Sequence, residues 1–295
     1  MDPEQLADVR TVVAADTVFL LREWRPAGDA GERTPVLLLH GVPETSSCWR
    51  DVAPHLAHVA GGQGRRVLAP DLPGLGGSTF TGPYDVPSLV TQVAALLEAE
   101  GTGRVDVVGH DWGGVVGLGL AGLRPDLVRR LAVANAPYRQ SPPPYRAVHI
   151  PLLALPLLPE LAFRLAGRRL VDLMLRAGWK APTPLDAERR AEYEAAYSGR
   201  CRLRAFLGYY RSAVRPRSGA LVPGSALARE LPDVHVEEAL VLWGALDPAL
   251  PVSTGEAVVR DLGPGTRMTT VPGAGHFVIE EAPDVVVEVL VPFLE

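Results

Sequence analysis

Cysteine is nearly absent: the 295-residue chain holds two, Cys48 and Cys201. Two thiols so far apart cannot build a disulfide framework, and no metal-ligand spacing surrounds them. They read as free thiols of a reducing compartment, with a Cys48–Cys201 bridge as the minor alternative. Positive charge is also short, the formal net charge being -5, which argues against a nucleic-acid partner. Met1-Asp2-Pro3-Glu4-Gln5 lacks the basic and apolar regions of a secretory leader, so a cytoplasmic location is expected. No apolar run is long enough to span a bilayer. The most apolar stretch, Ile150 to Leu158, is interrupted by Pro151 and Pro156. It reads as a buried or ligand-facing segment, with membrane contact the alternative and stable insertion not expected. No cofactor or metal is implied, and the chain fits a monomer or a homodimer equally.

What is present is a strand–helix alternation. Val12 to Trp24 alternates as a hairpin would. Val36-Leu37-Leu38-Leu39, Val67-Leu68-Ala69, Val105 to Val108 and Leu131 to Ala134 are short continuous apolar runs. Such runs mark parallel strands buried on both faces. Leu89 to Glu98 and Gly113 to Leu123 read as helices between them. The implied fold class is α/β, a mostly parallel central sheet flanked by helices. From Tyr138 to about Pro223 the strands stop. That segment has helical periodicity and proline punctuation, and its Lys and Arg exceed its acids by nine. It reads as a helical cap inserted into a core of residues 1–137 and 224–295, with Ser141-Pro142-Pro143-Pro144 as the hinge. Its positive charge belongs either to solvated helix faces or to a lid that attracts an anionic substrate. Tyr193 and Tyr197 fall on a charged helix and are expected to be exposed. Strands resume at Ala239 to Trp243 and Met268 to Val271, and Asp284 to Leu294 closes the chain as a helix.

The chemistry centres on Val108-Gly109-His110-Asp111-Trp112-Gly113-Gly114. The pattern Gly-x-nucleophile-x-Gly lies between a strand and a helix, with Asp where an esterase carries Ser. Its glycines let the chain turn sharply and pass the helix close to the strand. Asp111 alone would suit a helix N-cap. It is followed, however, by Asp247 just past a strand end and by His276 just past the last strand. Catalytic groups of parallel sheets gather at those carboxyl ends. Asp247 would orient His276 and stabilise its protonated form. The backbone N–H groups of Trp112 and Val42 would form an oxyanion hole. Pro43 cannot donate and would fix that turn through a cis bond, and His40 reads as structural.

These residues resemble the α/β-hydrolase superfamily along essentially the whole chain, and its epoxide hydrolase branch in particular. His40-Gly41-Val42-Pro43-Glu44 is similar to that branch's His-Gly-x-Pro motif, and Gly109-His110-Asp111-Trp112-Gly113 to its nucleophile elbow. Asp71-Leu72-Pro73-Gly74-Leu75-Gly76-Gly77-Ser78 is similar to a superfamily loop that does not discriminate function. The resemblance implies two cap donors that protonate the epoxide oxygen. Gly208-Tyr209-Tyr210-Arg211 makes Tyr210 one of them, with Tyr209 next in line. The other position falls at His149, where tyrosine is usual. Histidine can also donate, and some bacterial members resemble this chain in pairing His with Tyr. Trp112, Ile150 and Tyr209 are the expected substrate contacts.

The implied reaction opens a small lipophilic epoxide to a vicinal diol through an alkyl ester on Asp111. Water activated by His276 and Asp247 then hydrolyses that ester. A haloalkane or haloacid dehalogenase shares the nucleophile and is the rival. Against it, Val42 stands where haloalkane dehalogenases place Asn, and Trp112 where the fluoroacetate type carries Arg. A catalytically idle binding member, or a biosynthetic ring-opening enzyme, is a further alternative.

Overall fold

The chain enters through an antiparallel hairpin, β1 (Ala7–Ala14) and β2 (Thr17–Trp24). Burial along β2 alternates, as expected of a strand covered on one face. In the computed structural model the described residues are 7–26, 33–58, 64–140, 146, 149–197, 199–214 and 231–295. The leader-region reading at Met1–Gln5, the hinge at Ser141–Pro144 and the cap boundary at 223/224 lie outside them.

Strand β3 (Val36–Leu39) is buried at every position. A short helix α1 (Ala53–Ala57) leads to β4 (Val67–Pro70), also buried throughout. Helix α2 (Val86–Ala99) starts three residues earlier than the apolar periodicity suggests, because the Asp85 carboxylate caps it by accepting the Ser88 N–H. Strand β5 (Val105–His110), helix α3 (Trp112–Leu123) and β6 (Val128–Ala134) follow. After the inserted helices come β7 (Glu238–Gly244) and a helix not anticipated from the sequence, Val252–Leu262. Strand β8 (Arg267–Val271) and the closing helix Pro283–Leu294 complete the core.

The eight strands run in the order β1-β2-β4-β3-β5-β6-β7-β8. The pairings β1/β2 and β2/β4 are antiparallel, and all others are parallel. Chain order reverses at β3 and β5: from β3 the chain goes out to β4 and returns to β5 on the other side. The loops leaving β3 and β5 therefore open on one crevice at the sheet's carboxyl edge. Helix α3 crosses there at very short range. A Cβ on Gly113 would lie 2.2 Å from the Leu39 carbonyl oxygen, and one on Gly109 would lie 2.4 Å from that of Gly113. Glycine at these two positions costs helix and strand propensity and is what permits the crossing.

Between β6 and β7 the chain inserts α4 (His149–Ala154), α5 (Leu158–Gly178), α6 (Ala187–Ala196) and α7 (Arg200–Val214). Helix α5 is kinked at Ala166 (φ -143°, ψ 26°). No strand occurs among the described residues of this insertion. Two expectations fail here. Tyr193 and Tyr197 are buried, not exposed. The charges of α6 turn toward the core: Arg189 meets Asp51 at 2.6 Å and Glu192 meets Arg50 at 2.7 Å, drawing Tyr193 inward. The Ile150–Leu158 stretch is not buried as a unit. Leu152, Leu155, Leu157 and Leu158 are exposed: Leu152 lies on α4, which packs against α7, and the other three lie where the chain turns from α4 into α5. Cys48 is buried and Cys201 exposed, both free.

Candidate active site

The carboxyl edge of β5 turns through Asp111 into α3. Asp111 takes φ 47°, ψ -119°, a left-handed conformation that a non-glycine residue enters at a cost of about 1–3 kcal/mol. It is held there by its N–H on the Ala134 carbonyl (3.0 Å) and by its own carbonyl, which accepts from Val115 N–H (3.0 Å). Its carboxylate makes no helix-capping bond, so the N-cap reading does not account for it. Instead Oδ2 accepts the Val42 N–H at 3.0 Å, and the Trp112 N–H is directed at the same carboxylate. The Val42–Pro43 bond is cis. The structure thus brings the two expected oxyanion donors to the expected nucleophile.

His276 completes the group. Its Nδ1 lies 2.7 Å from Asp247 Oδ2 and its Nε2 lies 3.6 Å from Asp111 Oδ1. Asp247 is fixed by three further donors: Ala249 N–H (2.8 Å) and Leu250 N–H (2.9 Å) on Oδ1, and Asn135 Nδ2–H (2.7 Å) on Oδ2. Asn135 also accepts the Gly244 N–H at 2.9 Å, tying the end of β6 to the end of β7. Burial opposes charge on Asp111, yet His276, His110 and the Trp112 N–H hold it below the ordinary carboxylate range. Asp247 is likewise lowered against its burial, chiefly by His276. Burial opposes charge on His276 too, but Asp247 and Asp111 raise it well above an ordinary imidazole.

The insertion supplies the opposite wall. Tyr210 and Trp112 meet edge to face with ring centres 5.7 Å apart, and His149 meets Tyr210 at 6.1 Å. Burial, and next the Asp111 charge, raise the Tyr210 hydroxyl far above an ordinary phenol. Burial lowers His149 despite the Asp111 charge nearby, so its imidazole is neutral at neutral pH. Ile150 is half-buried beside it. Tyr209 departs from expectation. It is fully buried and its hydroxyl donates to the Pro73 carbonyl at 3.0 Å, with its ring edge-on to Trp112 at 5.2 Å. It therefore backs Trp112 instead of presenting a hydroxyl to substrate. His40 is structural, its Nε2 accepting the Leu72 N–H at 2.9 Å.

Besides Asn135, three residues were missed by sequence reasoning. Glu44 Oε2 lies 2.7 Å from His110 Nδ1, and His110 Nε2 lies 2.8 Å from the His276 carbonyl, which it holds. Burial opposes a charged His110, and Glu44 overrides it, raising His110. The third is Glu281, which accepts the N–H groups of Lys180 (2.7 Å), Ala181 (2.7 Å), Gly275 (2.9 Å) and Phe277 (2.9 Å). One carboxylate thus clasps the insertion to the histidine loop, and His276 N–H adds a bond to the Gly178 carbonyl at 3.0 Å. Glu44 stood in the quoted loop motif. Asn135 carried one signal, a polar residue at the end of a buried strand.

Residues 36–289 match the family model described as the alpha/beta hydrolase family. The chain is 30% identical to a haloalkane dehalogenase of Mycolicibacterium paratuberculosis, over 92% of this chain and 86% of that protein. A soluble epoxide hydrolase of Corynebacterium sp. is 42% identical over 36% of this chain and 36% of its own length. The chain spans only 40% and 36% of two of the curated relatives it matches. Among solved structures, epoxide hydrolase A from Mycobacterium thermoresistibile superimposes with a TM-score of 0.75 at 25% identity, covering 98% of each chain.

Proposed function

The chain belongs to the alpha/beta hydrolase family, and we propose that within it this protein is an epoxide hydrolase working through a covalent ester on Asp111. The observation that carries the reading is the pairing of Tyr210 with Trp112 across from Asp111. Tyr210 is buried there, edge-on to the Trp112 indole and beside His149, and a phenol that burial keeps protonated has its proton to give to a bound epoxide oxygen. The inserted helices, residues 138–223, act as the cap that provides this donor.

In the proposed cycle the Asp111 carboxylate attacks an epoxide carbon and the C–O bond breaks. The leaving alkoxide takes the Tyr210 proton, and His149 steadies the same oxygen with an N–H. The negative charge of Asp111 disappears on esterification. The imidazolium of His276 then loses one of the two carboxylates that raise it, so its proton passes to the tyrosinate. The neutral imidazole, still held by Asp247, activates a water that attacks the Asp111 carbonyl carbon. Val42 and Trp112 N–H groups receive the oxyanion, and the diol leaves as the carboxylate re-forms.

The test is a single turnover with excess enzyme in heavy-oxygen water. Label in Asp111 and none in the diol is expected. Label passing straight into the diol excludes the ester. Asp111→Ala should be inactive, and His276→Gln should accumulate the ester.

A dehalogenase reading has one observation in its favour, the 30% identity to a haloalkane dehalogenase over most of both chains. Against it, Val42 stands where haloalkane dehalogenases place an Asn, so that halide donor is missing. Diol from styrene oxide, without chloride from a chloroalkane, distinguishes the two.

A further inference from the structure

Six of the thirteen exposed large apolar side chains among the described residues crowd into one stretch of the insertion: Leu152, Leu155, Leu157, Leu158, Leu161 and Leu165. Leu157 and Leu165 are 79% and 78% exposed. On α5, Leu158, Leu161 and Leu165 recur at the spacing of one helix face. Exposed leucines concentrated in this way mark an interaction surface.

The charges beside the patch that have no ion-pair partner among the described residues have one sign. Arg164, Arg168 and Arg169 are exposed and have no ion-pair partner among the described residues. The nearby acid Glu160 is taken by Arg211 at 2.7 Å, and Asp172 by Arg176 at 2.7 Å and Arg190 at 3.5 Å. The insertion carries nine excess positive charges although the whole chain is -5, so the core is acidic. The net positive charge thus lies in the segment that carries these leucines.

We propose that the α4–α5 face docks on an anionic lipid bilayer, the leucines entering the headgroup boundary and the arginines meeting lipid phosphates. A helix with an apolar stripe flanked by arginines is the pattern of interfacial binding. The acidic core is repelled by the same surface and faces away. A second copy of the chain is the poorer occupant, because a two-fold interface would set the arginine cluster against itself. No described helix is long and apolar enough to cross a membrane, so the contact is peripheral. The same α4 that shows Leu152 outward begins at His149, beside Tyr210. A lipophilic substrate dissolved in the bilayer thus enters one helix away from the site. That last point rests on the epoxide reading, whereas the docking does not.

The test is sedimentation of the full chain with phosphatidylcholine vesicles, with and without phosphatidylglycerol. Binding to the phosphatidylglycerol vesicles at low salt, and release at high salt, is expected. The double variants Leu161→Ser/Leu165→Ser and Arg164→Glu/Arg168→Glu should each partition roughly tenfold less, with the thermal unfolding midpoint unchanged. Absence of binding by the wild-type chain overturns the proposal, as does equal binding to both vesicle types. A wild-type dimer that the leucine substitutions convert to monomer, without any lipid binding, assigns the face to self-association and also overturns it. Vesicle binding by a chain that yields no diol would uphold the docking and sink only the epoxide reading.

Discussion

His276 Nε2 stands 3.6 Å from Asp111 Oδ1, close enough for each charge to stabilise the other and too far for a firm hydrogen bond. The two groups move in opposite directions: the carboxylate is lowered and the imidazole raised. In the proposed cycle ester formation needs the carboxylate ionised, so its rate should stay flat down to below the ordinary carboxylate value. The second step needs neutral His276, and so should rise with pH through the imidazole ionisation of the ester intermediate. Rapid-mixing measurement of ester formation and decay across pH checks this. Equal pH dependence of both steps would contradict the coupling.

Tyr210 and Tyr209 are adjacent in sequence and offer a paired comparison. Tyr210→Phe keeps the contacts with Trp112 and His149 but removes the proton donor, so ester formation should slow by about 10²-fold. Tyr209→Phe loses only the bond to the Pro73 carbonyl. It should cost about 1 kcal/mol of stability and leave ester formation within a few-fold of wild type. The reverse order of effects would exchange the assigned roles.

Asn135 should matter for hydrolysis more than its absence from any motif suggests. Asn135→Ala removes one of the two partners of Asp247 Oδ2, leaving His276, and strands the buried Gly244 N–H. A stability loss of about 1–3 kcal/mol is expected. Loosening Asp247 should slow ester decay by roughly 10- to 100-fold while ester formation changes less. Chemical denaturation and single-turnover traces of the same variant separate the two effects.

The difference between what the sequence revealed and what it hid has a physical basis. Gly109, Asp111 and Gly113 were readable because a strained turn and a helix crossing with no room for a Cβ fix glycines at set offsets around the nucleophile. Asp247 and His276 were readable because they follow buried apolar strands directly. Asn135, Glu281 and the Glu44–His110 pair act on partners far away in sequence, which local pattern does not encode. Tyr193 was misjudged for a related reason. The charges on its helix looked solvated but are met by Asp51, Arg50 and Glu280 of the core, and only the packed fold supplies those counter-charges.

Glu280 gives a prediction on stability alone. It is buried, with Arg189 at 3.5 Å and one carboxylate oxygen lacking any hydrogen-bond partner. Burial, and next the Glu44 charge, push its carboxyl well above the ordinary range. A carboxyl raised on folding stabilises the fold fully below its unfolded value of 4.5. That contribution is lost as pH rises through the folded value, at about 1.4 kcal/mol per pKa unit. Glu280→Gln keeps an acceptor for Arg189 and removes the ionisation, so the variant should gain on the wild type as pH rises. At about pH 5 the two should unfold at similar temperatures, and at about pH 8 the variant should be the more stable by on the order of 1 kcal/mol. Thermal unfolding at both pH values measures the difference. A variant that loses the same stability at each pH would mean that Glu280 is ionised in the fold and held by Arg189.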